Sequence, residues 1–146
     1  MKNQSSGGFL IARIHHLADR LFTQKLKEYG ITDLNPGQGR IMFALWQTNG
    51  MSAQELGKAT SLGKSTLTSM LDRLEAAGHI QRQNDPQDRR SVLIFARDMT
   101  VAEKEQYTSV SQEMTDIFYS GLKKDEIAAF ESTLRRVLAN LDPGAV

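Results

Sequence analysis

The sequence predicts a mainly α-helical chain with one small β-hairpin. Two short runs that fit β-strands, at 79–84 and 91–97, flank the turn sequence Asp85-Pro86-Gln87-Asp88 and predict the hairpin. Two short helical segments precede it, with Ser61-Leu62-Gly63 as the break between them. Longer helical patterns lie at both ends of the chain. Two helices followed by a basic hairpin form a winged helix-turn-helix, an arrangement typical of proteins that bind double-stranded DNA.

The first half of the chain predicts two helices and a short strand before the helix-turn-helix. Residues 9–29 carry a wide apolar stripe at helical spacing, and Gly30 ends this helix. Pro36 suits the first turn of the next helix, because its missing N–H would have no partner there. Asn49-Gly50 then turns the chain into a short strand. Ser52 and Glu55 have the spacing of a capping box, which opens the third helix.

The second half predicts a recognition helix, the hairpin and two terminal helices. Leucines face inward from the helix 64–77, and Gly78 ends it in a left-handed conformation. Thr100 and Glu103 form a second capping box, which opens a long helix that Gly121 interrupts. A last helix runs to residue 142. The predicted order is helix, helix, strand, helix, helix, strand, strand, helix, helix.

The length and the terminal stripes predict how the chain is organised. At 146 residues the chain is expected to be a single domain, 1–146, with a DNA-binding lobe at 31–98. The helices at 7–30 and 100–142 carry more apolar surface than a small lobe can cover. Packing against a second copy solves this, so we expect a two-fold homodimer with these segments as dimerisation helices. An intramolecular bundle is the alternative.

Composition excludes several classes of protein. The chain has no cysteine, which excludes disulfides, cysteine-bound metals and thiol redox sensing. No run approaches the roughly 20 apolar residues of a membrane span, and the N-terminus does not resemble a signal peptide. We therefore expect a cytoplasmic protein. His15 and His16 are adjacent and point about 100° apart on a helix, so they cannot chelate one metal together. No catalytic motif is visible, and we expect no enzyme activity, metal or cofactor.

The distribution of charge indicates which part of the chain meets DNA. Residues 1–49 hold six Lys/Arg and three Asp/Glu, and residues 50–97 hold seven and five. Residues 98–146 hold five and nine, so this segment is acidic. Because phosphate repels acidic surfaces, nucleic acid is expected to meet the middle of the chain.

The face of the recognition helix opposite its leucines is rich in hydroxyl groups. Small hydroxyl side chains permit close approach to bases and phosphates, while Lys and Arg supply charge. The free N–H groups of the first turn suit a phosphate. The alternative is a solvated face with capping hydroxyls. The residues on this face and its flanks are Lys64, Ser65, Thr66, Thr68, Ser69, Asp72 and Arg73.

The tip of the hairpin concentrates positive charge in Arg89 and Arg90. One arginine is expected to reach a phosphate and the other to enter the minor groove, where the potential is negative. Asp88 is close enough to Arg90 to accept a hydrogen bond and hold that arginine extended. The alternative is that Asp85 and Asp88 shape the turn and pair with Arg82 or Arg89.

These residues, taken in order, resemble the MarR (multiple antibiotic resistance regulator) family of transcription factors over nearly the whole chain. The match begins at Tyr29-Gly30-Ile31-Thr32 and includes Ser52-Ala53-Gln54-Glu55-Leu56-Gly57. It continues through Lys64-Ser65-Thr66-Leu67-Thr68 and the segment 71–82, and it closes with the hairpin segment 85–92. Each piece is weak alone, but together at these spacings they are specific.

The resemblance implies a homodimeric regulator, more often a repressor, that binds a pseudo-palindromic operator. It implies that Lys64, Ser65, Thr66, Thr68 and Ser69 enter the major groove with the recognition helix, that Arg73 contacts the DNA backbone, and that Arg90, supported by Asp88, contacts the minor groove. The sequence departs from the family pattern where Ser69 replaces a frequent arginine, and in the segment Arg97-Asp98-Met99-Thr100 after the second strand. A winged helix that binds another protein instead of DNA is the competing hypothesis.

The resemblance also implies that a small aromatic or phenolic ligand weakens DNA binding. In the family the pocket lies between the dimer helices and the DNA-binding lobe. The candidate lining residues in this chain are Arg13, His15, His16, Met42 and Trp46. The alternative is that Met42 and Trp46 belong to the core and that the histidines lie on the dimer surface.

Overall fold

A computed structural model describes residues 5–144 and confirms the predicted fold class. The sheet is antiparallel with strand order β1-β3-β2. The predicted single domain also includes residues 1–4 and 145–146, which lie outside the described residues. The elements are α1 (Gly7–Glu28), α2 (Pro36–Gln47), β1 (Met51–Ser52), α3 (Ala53–Thr60), α4 (Lys64–Ala76), β2 (Ile80–Asp85), β3 (Asp88–Ala96), α5 (Val101–Phe118) and α6 (Lys124–Leu141).

Side-chain caps start two of the helices where the sequence predicts them. The Ser52 hydroxyl accepts a hydrogen bond from the Glu55 backbone N–H at 3.1 Å and opens α3. At α5 the box is reciprocal: Glu103 N donates to Thr100 Oγ1 at 3.2 Å, and Thr100 N donates to Glu103 Oε2 at 2.8 Å. Each such bond satisfies a backbone donor that has no partner inside the helix.

The helix-turn-helix and the hairpin share one hydrophobic core. One compact unit of the chain contains α2 from Gly37 onward, together with β1, α3, α4, β2, β3 and α6. Its helices and strands place apolar side chains inward at the period of each element, and α3 packs on α4. The most deeply buried side chains of this unit are Ile41, Leu45, Leu56, Leu74 and Ile94.

The Asn49-Gly50 turn joins the end of α2 to the last strand of the sheet. Asn49 Oδ1 accepts a hydrogen bond from the backbone N–H of Ala96 at 3.0 Å. Gly50 has a positive φ of 78°, and a Cβ at this position would lie 2.8 Å from Cε1 of Phe95. Position 50 therefore requires glycine for two reasons: the backbone conformation is strained for other residues, and the Phe95 ring leaves no room for a Cβ.

The second compact unit contains α1 and α5, which pack against each other. Leu26 on α1 and Val110 on α5 are both 1% exposed. At the edge of this contact the Tyr29 hydroxyl donates a hydrogen bond to the Glu113 carboxylate. The two helices are thus joined by apolar burial and by a polar contact beside it.

A charged cluster completes the polar contact between α1 and α5. Lys25 Nζ lies 3.1 Å from Glu28 Oε2 and 3.1 Å from Glu113 Oε2. The hydrogen bond from Tyr29, with a second from Lys25, holds the pKa of Glu113 below its ordinary value. The same bond raises the pKa of Tyr29. Hydrogen bonds to Glu28 and Glu113 raise the pKa of Lys25. The cluster therefore favours a carboxylate, a neutral phenol and an ammonium group.

Both units leave large apolar side chains exposed. On α6 no residue is buried, although Ile127, Phe130 and Leu134 are half-buried. Leu141 is 81% exposed, and Phe9 on α1 is 83% exposed. The other exposed apolar side chains on the terminal helices and their connection are Leu10, Ile11, Ile14, Leu17, Val101, Ile117, Phe118, Leu122, Val137 and Leu138.

Candidate nucleic-acid interface

The polar face of α4 is exposed along its length. Leu67, Leu71 and Leu74 lie at i, i+4 and i+7 and are buried, so the opposite side of the helix faces solvent. The predicted contact residues Lys64, Ser65, Thr66, Thr68, Ser69 and Arg73 are all exposed. The structure thus places these six residues of the predicted contact set on one accessible helix.

The start of α4 presents free backbone N–H groups and the hydroxyl of Thr68, which already donates a hydrogen bond within the helix. Gly63 precedes the helix and has no side chain to cap it, so its first N–H groups lack a side-chain acceptor from that position. Thr68 Oγ1 donates to the Lys64 carbonyl oxygen at 2.9 Å. This bond uses the hydroxyl hydrogen of Thr68, and its oxygen is left as an acceptor for a donor such as a base amino group.

The turn between α3 and α4 holds one residue in a left-handed conformation. Ser61 follows the last residue of α3 and has φ of 55° and ψ of 26°. Residues other than glycine adopt this conformation at a cost of about 1–2 kcal/mol. The left-handed residue ends α3 and reverses the chain into α4, which gives the helix-turn-helix its sharp corner.

The tip of the hairpin is exposed, and its backbone is fixed by two aspartates. Asp85 Oδ1 accepts a hydrogen bond from Gln87 N at 2.9 Å, and Asp88 Oδ1 accepts one from Arg90 N at 3.0 Å. Arg89 and Arg90 are both exposed. The strand pairing passes from Asn84 opposite Val92 to Asp85 opposite Asp88, so residues 89–91 form an irregularity of β3. Such a bulge twists the strand and projects its residues out of the regular ladder.

The hydrogen bonds of the two aspartates refine the sequence-based interpretation. Asp88 was expected to accept from Arg90, and the bond present runs to the backbone N–H of Arg90, so it fixes the main chain that carries the guanidinium group. Asp85 shapes the turn, as the alternative hypothesis stated. Arg82, which that hypothesis paired with an aspartate of the turn, instead pairs with Asp72 and Glu75 of α4.

The pairing of Arg82 with α4 was not predicted from the sequence. The signal was present, since Asp72 and Glu75 are neighbours on a helix and Arg82 is two residues from the buried Ile80 on its strand. What the sequence lacks is the angle between α4 and β2, which only the packed structure supplies.

The candidate effector residues fall into two groups. Arg13, His15 and His16 are exposed on α1, and His15 Nε2 lies 3.5 Å from Asp19 Oδ2. Met42 is 2% exposed and belongs to the core, while Trp46 is half-buried on the same helix. The two groups belong to different compact units.

Two further features bear on the class of protein. Across residues 5–144, no group of three or more His, Asp or Glu side chains has the arrangement of a metal site. In the same part of the chain, no helix is long and apolar enough to cross a membrane.

Comparisons with known proteins agree with this geometry. The family model described as "MarR family" matches residues 34–92. The Multiple antibiotic resistance protein MarR of Escherichia coli K12 is 31% identical over 132 residues, which cover 90% of each chain. The HTH-type transcriptional regulator TtmR of Methylorubrum extorquens is 34% identical over 90 residues. That match covers 62% of this chain but only 45% of TtmR, so this chain spans less than half of that relative.

A solved structure supports the same relationship. A mutant of MarR from Escherichia coli, crystallised in complex with operator DNA, superimposes with a TM-score of 0.71 and 27% sequence identity. The superposition covers 90% of this chain and 92% of that protein. The likeness therefore extends over the terminal helices as well as the central lobe.

Proposed function

This chain belongs to the MarR family of DNA-binding transcriptional regulators, and on that premise we propose that it is a homodimeric repressor of a pseudo-palindromic operator. One observation carries the proposal. The exposed polar face of α4 belongs to the same compact unit as a hairpin whose two tip arginines are exposed. A helix for the major groove and a basic hairpin for the minor groove are the two parts that such recognition requires.

Each predicted contact residue receives a role in the proposed complex. The lobe 31–98 binds DNA, with α4 in the major groove and Arg73 on the DNA backbone. Arg90 enters the minor groove, Asp88 holds its backbone, and Arg89 meets a phosphate. The residues of α4 that lie in the major groove are Lys64, Ser65, Thr66, Thr68 and Ser69.

The competing hypothesis, a winged helix that binds only proteins, is not favoured. Such a surface would present an apolar or acidic recognition face. The exposed face of α4 instead carries hydroxyl groups and Lys64. Membership of a family of transcriptional regulators also argues for a regulator without enzymatic activity, acting in the cytoplasm where the DNA of a bacterial or archaeal cell lies.

Selection of duplexes from a random-sequence pool tests the DNA-binding role directly. The purified protein is expected to enrich a pseudo-palindrome whose half-sites lie about 10 base pairs apart, one turn of DNA, or a multiple of that spacing. A pool that yields no preferred duplex would favour the protein-binding hypothesis. In vitro transcription from a promoter that overlaps the selected site then tests repression, since added protein should lower the yield. A higher yield would contradict the repressor role and leave DNA binding intact.

The exposed apolar side chains of the terminal helices support the proposed dimer. An exposed leucine or phenylalanine side chain gains about 1.5–3 kcal/mol when it is fully buried. The segments 7–30 and 100–142 carry many such side chains, and a second copy of the chain would cover them by the two-fold symmetry that most soluble oligomers use.

Sedimentation of two matched variants tests the dimer. Leu138→Glu places a charge on the apolar surface of α6, whereas Ser132→Glu adds the same charge at an exposed polar position of that helix. The wild type and Ser132→Glu should sediment as dimers. The dimer of Leu138→Glu should be weaker, with a dissociation constant at least about tenfold higher than that of the wild type. A monomeric wild type at micromolar concentration would contradict the proposal.

We also propose that a small phenolic or aromatic acid weakens DNA binding. The candidate residues are those that the family resemblance indicates, Arg13, His15, His16, Met42 and Trp46, which include a cation, imidazoles and an aromatic ring. Trp46 is the only tryptophan in the sequence, so its fluorescence reports on its own surroundings without interference. Titration with a panel of phenolic carboxylates should shift that fluorescence and release DNA, and Trp46→Phe should abolish only the optical signal. If no acid in the panel changes either readout, the effector proposal is wrong.

A further inference from the structure

Arg82 joins the base of the hairpin to the recognition helix through two ion pairs. Its Nη1 lies 3.0 Å from Glu75 Oε1, and its Nη2 lies 3.0 Å from Asp72 Oδ1. Arg82 is on β2, while both carboxylates are on α4. One guanidinium group on a strand of the hairpin therefore holds two carboxylates that lie three residues apart on the recognition helix.

The geometry of this contact suits arginine in particular. Asp72 and Glu75 are three residues apart, so their side chains are neighbours on the surface of α4. The planar guanidinium group presents two terminal nitrogens in a fixed fork, and each nitrogen meets one carboxylate. An ammonium group is a single point charge on a flexible stem and cannot reproduce both contacts with the same rigidity. The Arg82 side chain is 29% exposed, against 63% for Asp72 and 42% for Glu75, so it is the most covered member of the three.

Arg82 lies near the base of the hairpin, so a small change at this contact displaces the tip by a larger distance. Arg82 pairs with Ile94 in the sheet, and the turn lies three residues further along β2. At the usual rise of a strand this is a distance of about 10 Å. A rotation of the hairpin about its base is therefore amplified at the tip, where Arg89 and Arg90 lie.

Only a short connection links α4 to β2 through the chain itself. Gly78 in this connection has a positive φ of 81°, and none of the described residues beyond its chain neighbours comes within 4 Å of the position that a Cβ would occupy. Backbone hydrogen bonds from Gly78 N to Glu75 O at 3.0 Å and from His79 N to Leu74 O at 2.9 Å fix the end of α4. Beyond them, the angle between helix and hairpin also depends on contacts such as those of Ile80 in the core and of Arg82 at the surface.

We propose that Arg82 is a positioning residue for operator discrimination, because its fork sets the angle between α4 and the hairpin and hence the spacing between major-groove and minor-groove contacts. This inference rests on the proposed DNA-binding function and deepens it. The competing explanation is electrostatic. Asp72 and Glu75 would repel phosphate, and Arg82 would merely neutralise them.

Three variants separate positioning from neutralisation. Arg82→Lys keeps the charge and loses the fork. Arg82→Gln with Glu75→Gln loses the fork and leaves the net charge of the protein unchanged. Arg82→Gln alone loses both. For each variant, fluorescence anisotropy gives the affinity for the selected operator and for a scrambled duplex of equal length, and thermal unfolding confirms that the variant folds.

If Arg82 positions the hairpin, the ratio of operator to scrambled affinity falls by about fivefold or more in all three variants, the least that loss of one base contact costs. Affinity of the charge-matched variants for scrambled DNA should change by less than about threefold, because their net charge is that of the wild type. If Arg82 only neutralises carboxylates, Arg82→Lys and the charge-matched double variant keep the wild-type ratio, and Arg82→Gln weakens both duplexes equally. That pattern would overturn the proposal.

A distance measurement without DNA separates failure of this inference from failure of the proposed function. The chain has no cysteine, so spin labels can be attached only at the introduced sites Gln87→Cys in the turn and Ala76→Cys in α4. Labelled protein diluted with unlabelled protein should give a narrow distance distribution that broadens or shifts in Arg82→Lys. An unchanged distribution would refute the positioning role whatever the DNA results. Absence of any selected duplex would contradict the DNA-binding function, while the distances would still decide whether Arg82 holds the hairpin.

Discussion

Replacement of Arg89 by glutamine tests whether the two arginines of the hairpin have different roles. Both side chains are exposed, and neither forms an ion pair with another residue in the part of the chain from 5 to 144. Their proposed targets differ, since Arg89 meets a phosphate and Arg90 enters the minor groove. A phosphate contact contributes charge but no sequence information. Arg89→Gln should therefore weaken binding to all duplexes alike.

The salt dependence sets the size of the effect. Each phosphate that a protein neutralises on B-DNA contributes about 0.9 to the slope of log affinity against log salt concentration. The proposed homodimer presents Arg89 twice, so the slope should fall by about 1.8 in the variant. Between about 50 and about 200 mM salt this amounts to about one logarithmic unit. The ratio of wild-type affinity to variant affinity should thus be about twelve times larger at the lower salt concentration than at the higher one.

Anisotropy titrations at several salt concentrations, with the selected operator and a scrambled duplex, provide the assay. Arg89→Gln should lower the slope on both duplexes and keep the ratio of their affinities. Arg20→Gln removes the same charge from an exposed position on α1 and should leave both slopes within about 0.3 of the wild-type values if this position lies outside the interface. The assignment fails if Arg89→Gln leaves the slope unchanged, or if it lowers the affinity ratio as a base-reading residue would.

Three further predictions concern the hairpin and the two compact units. Arg90→Ala should weaken operator binding by about 1–3 kcal/mol per subunit and lower the affinity ratio in the same titrations, and unchanged operator affinity at moderate salt would contradict the minor-groove role. Gly50→Ala should lower the free energy of unfolding in urea by about 1–3 kcal/mol more than Gly78→Ala, because both have positive φ but only Gly50 faces a side chain at 2.8 Å. Equal losses would show that the ring moves aside freely. Glu113 has a pKa lowered from 4.5, chiefly by Tyr29, so its contribution to stability is present above about pH 4.5 and disappears as the pH falls further. In urea titrations from about pH 3 to 7, Glu113→Gln should be less stable than the wild type at neutral pH and nearly equal to it at the acidic end, and a difference independent of pH would refute the role of this carboxylate.

The sequence predicted the elements well because their signals are local. The spacing of Leu67, Leu71 and Leu74 identifies the buried side of α4, and the exposed polar face follows from it. Thr100 with Glu103 identifies the start of α5 within a single turn of chain. The order of the elements and the fold class were therefore predictable without knowledge of the packing.

What the sequence could not predict depends on contacts between elements. The pairing of Arg82 with Asp72 and Glu75 spans ten and seven residues and requires the angle between a helix and a strand. The irregular register at Asn84 and Asp85 likewise arises where the turn meets the two strands. Arg82, for example, has other carboxylates near it in the sequence, such as those of Asp85 and Asp88. Tertiary packing decides which of these carboxylates it meets.

The small net charge of the chain makes local geometry decisive for its proposed function. A formal charge of +1 provides little long-range attraction to DNA. The segment 98–146, with nine acidic and five basic residues, would in addition be repelled from phosphate. Affinity must then come from a few exposed cations on α4 and the hairpin, and at physiological salt each acts only within a screening length of about 8 Å. A hairpin that is turned away by more than this distance would lose its contribution. A contact that fixes the hairpin against α4, as the Arg82 fork does, therefore affects DNA binding more in this chain than in one whose overall field is strongly positive.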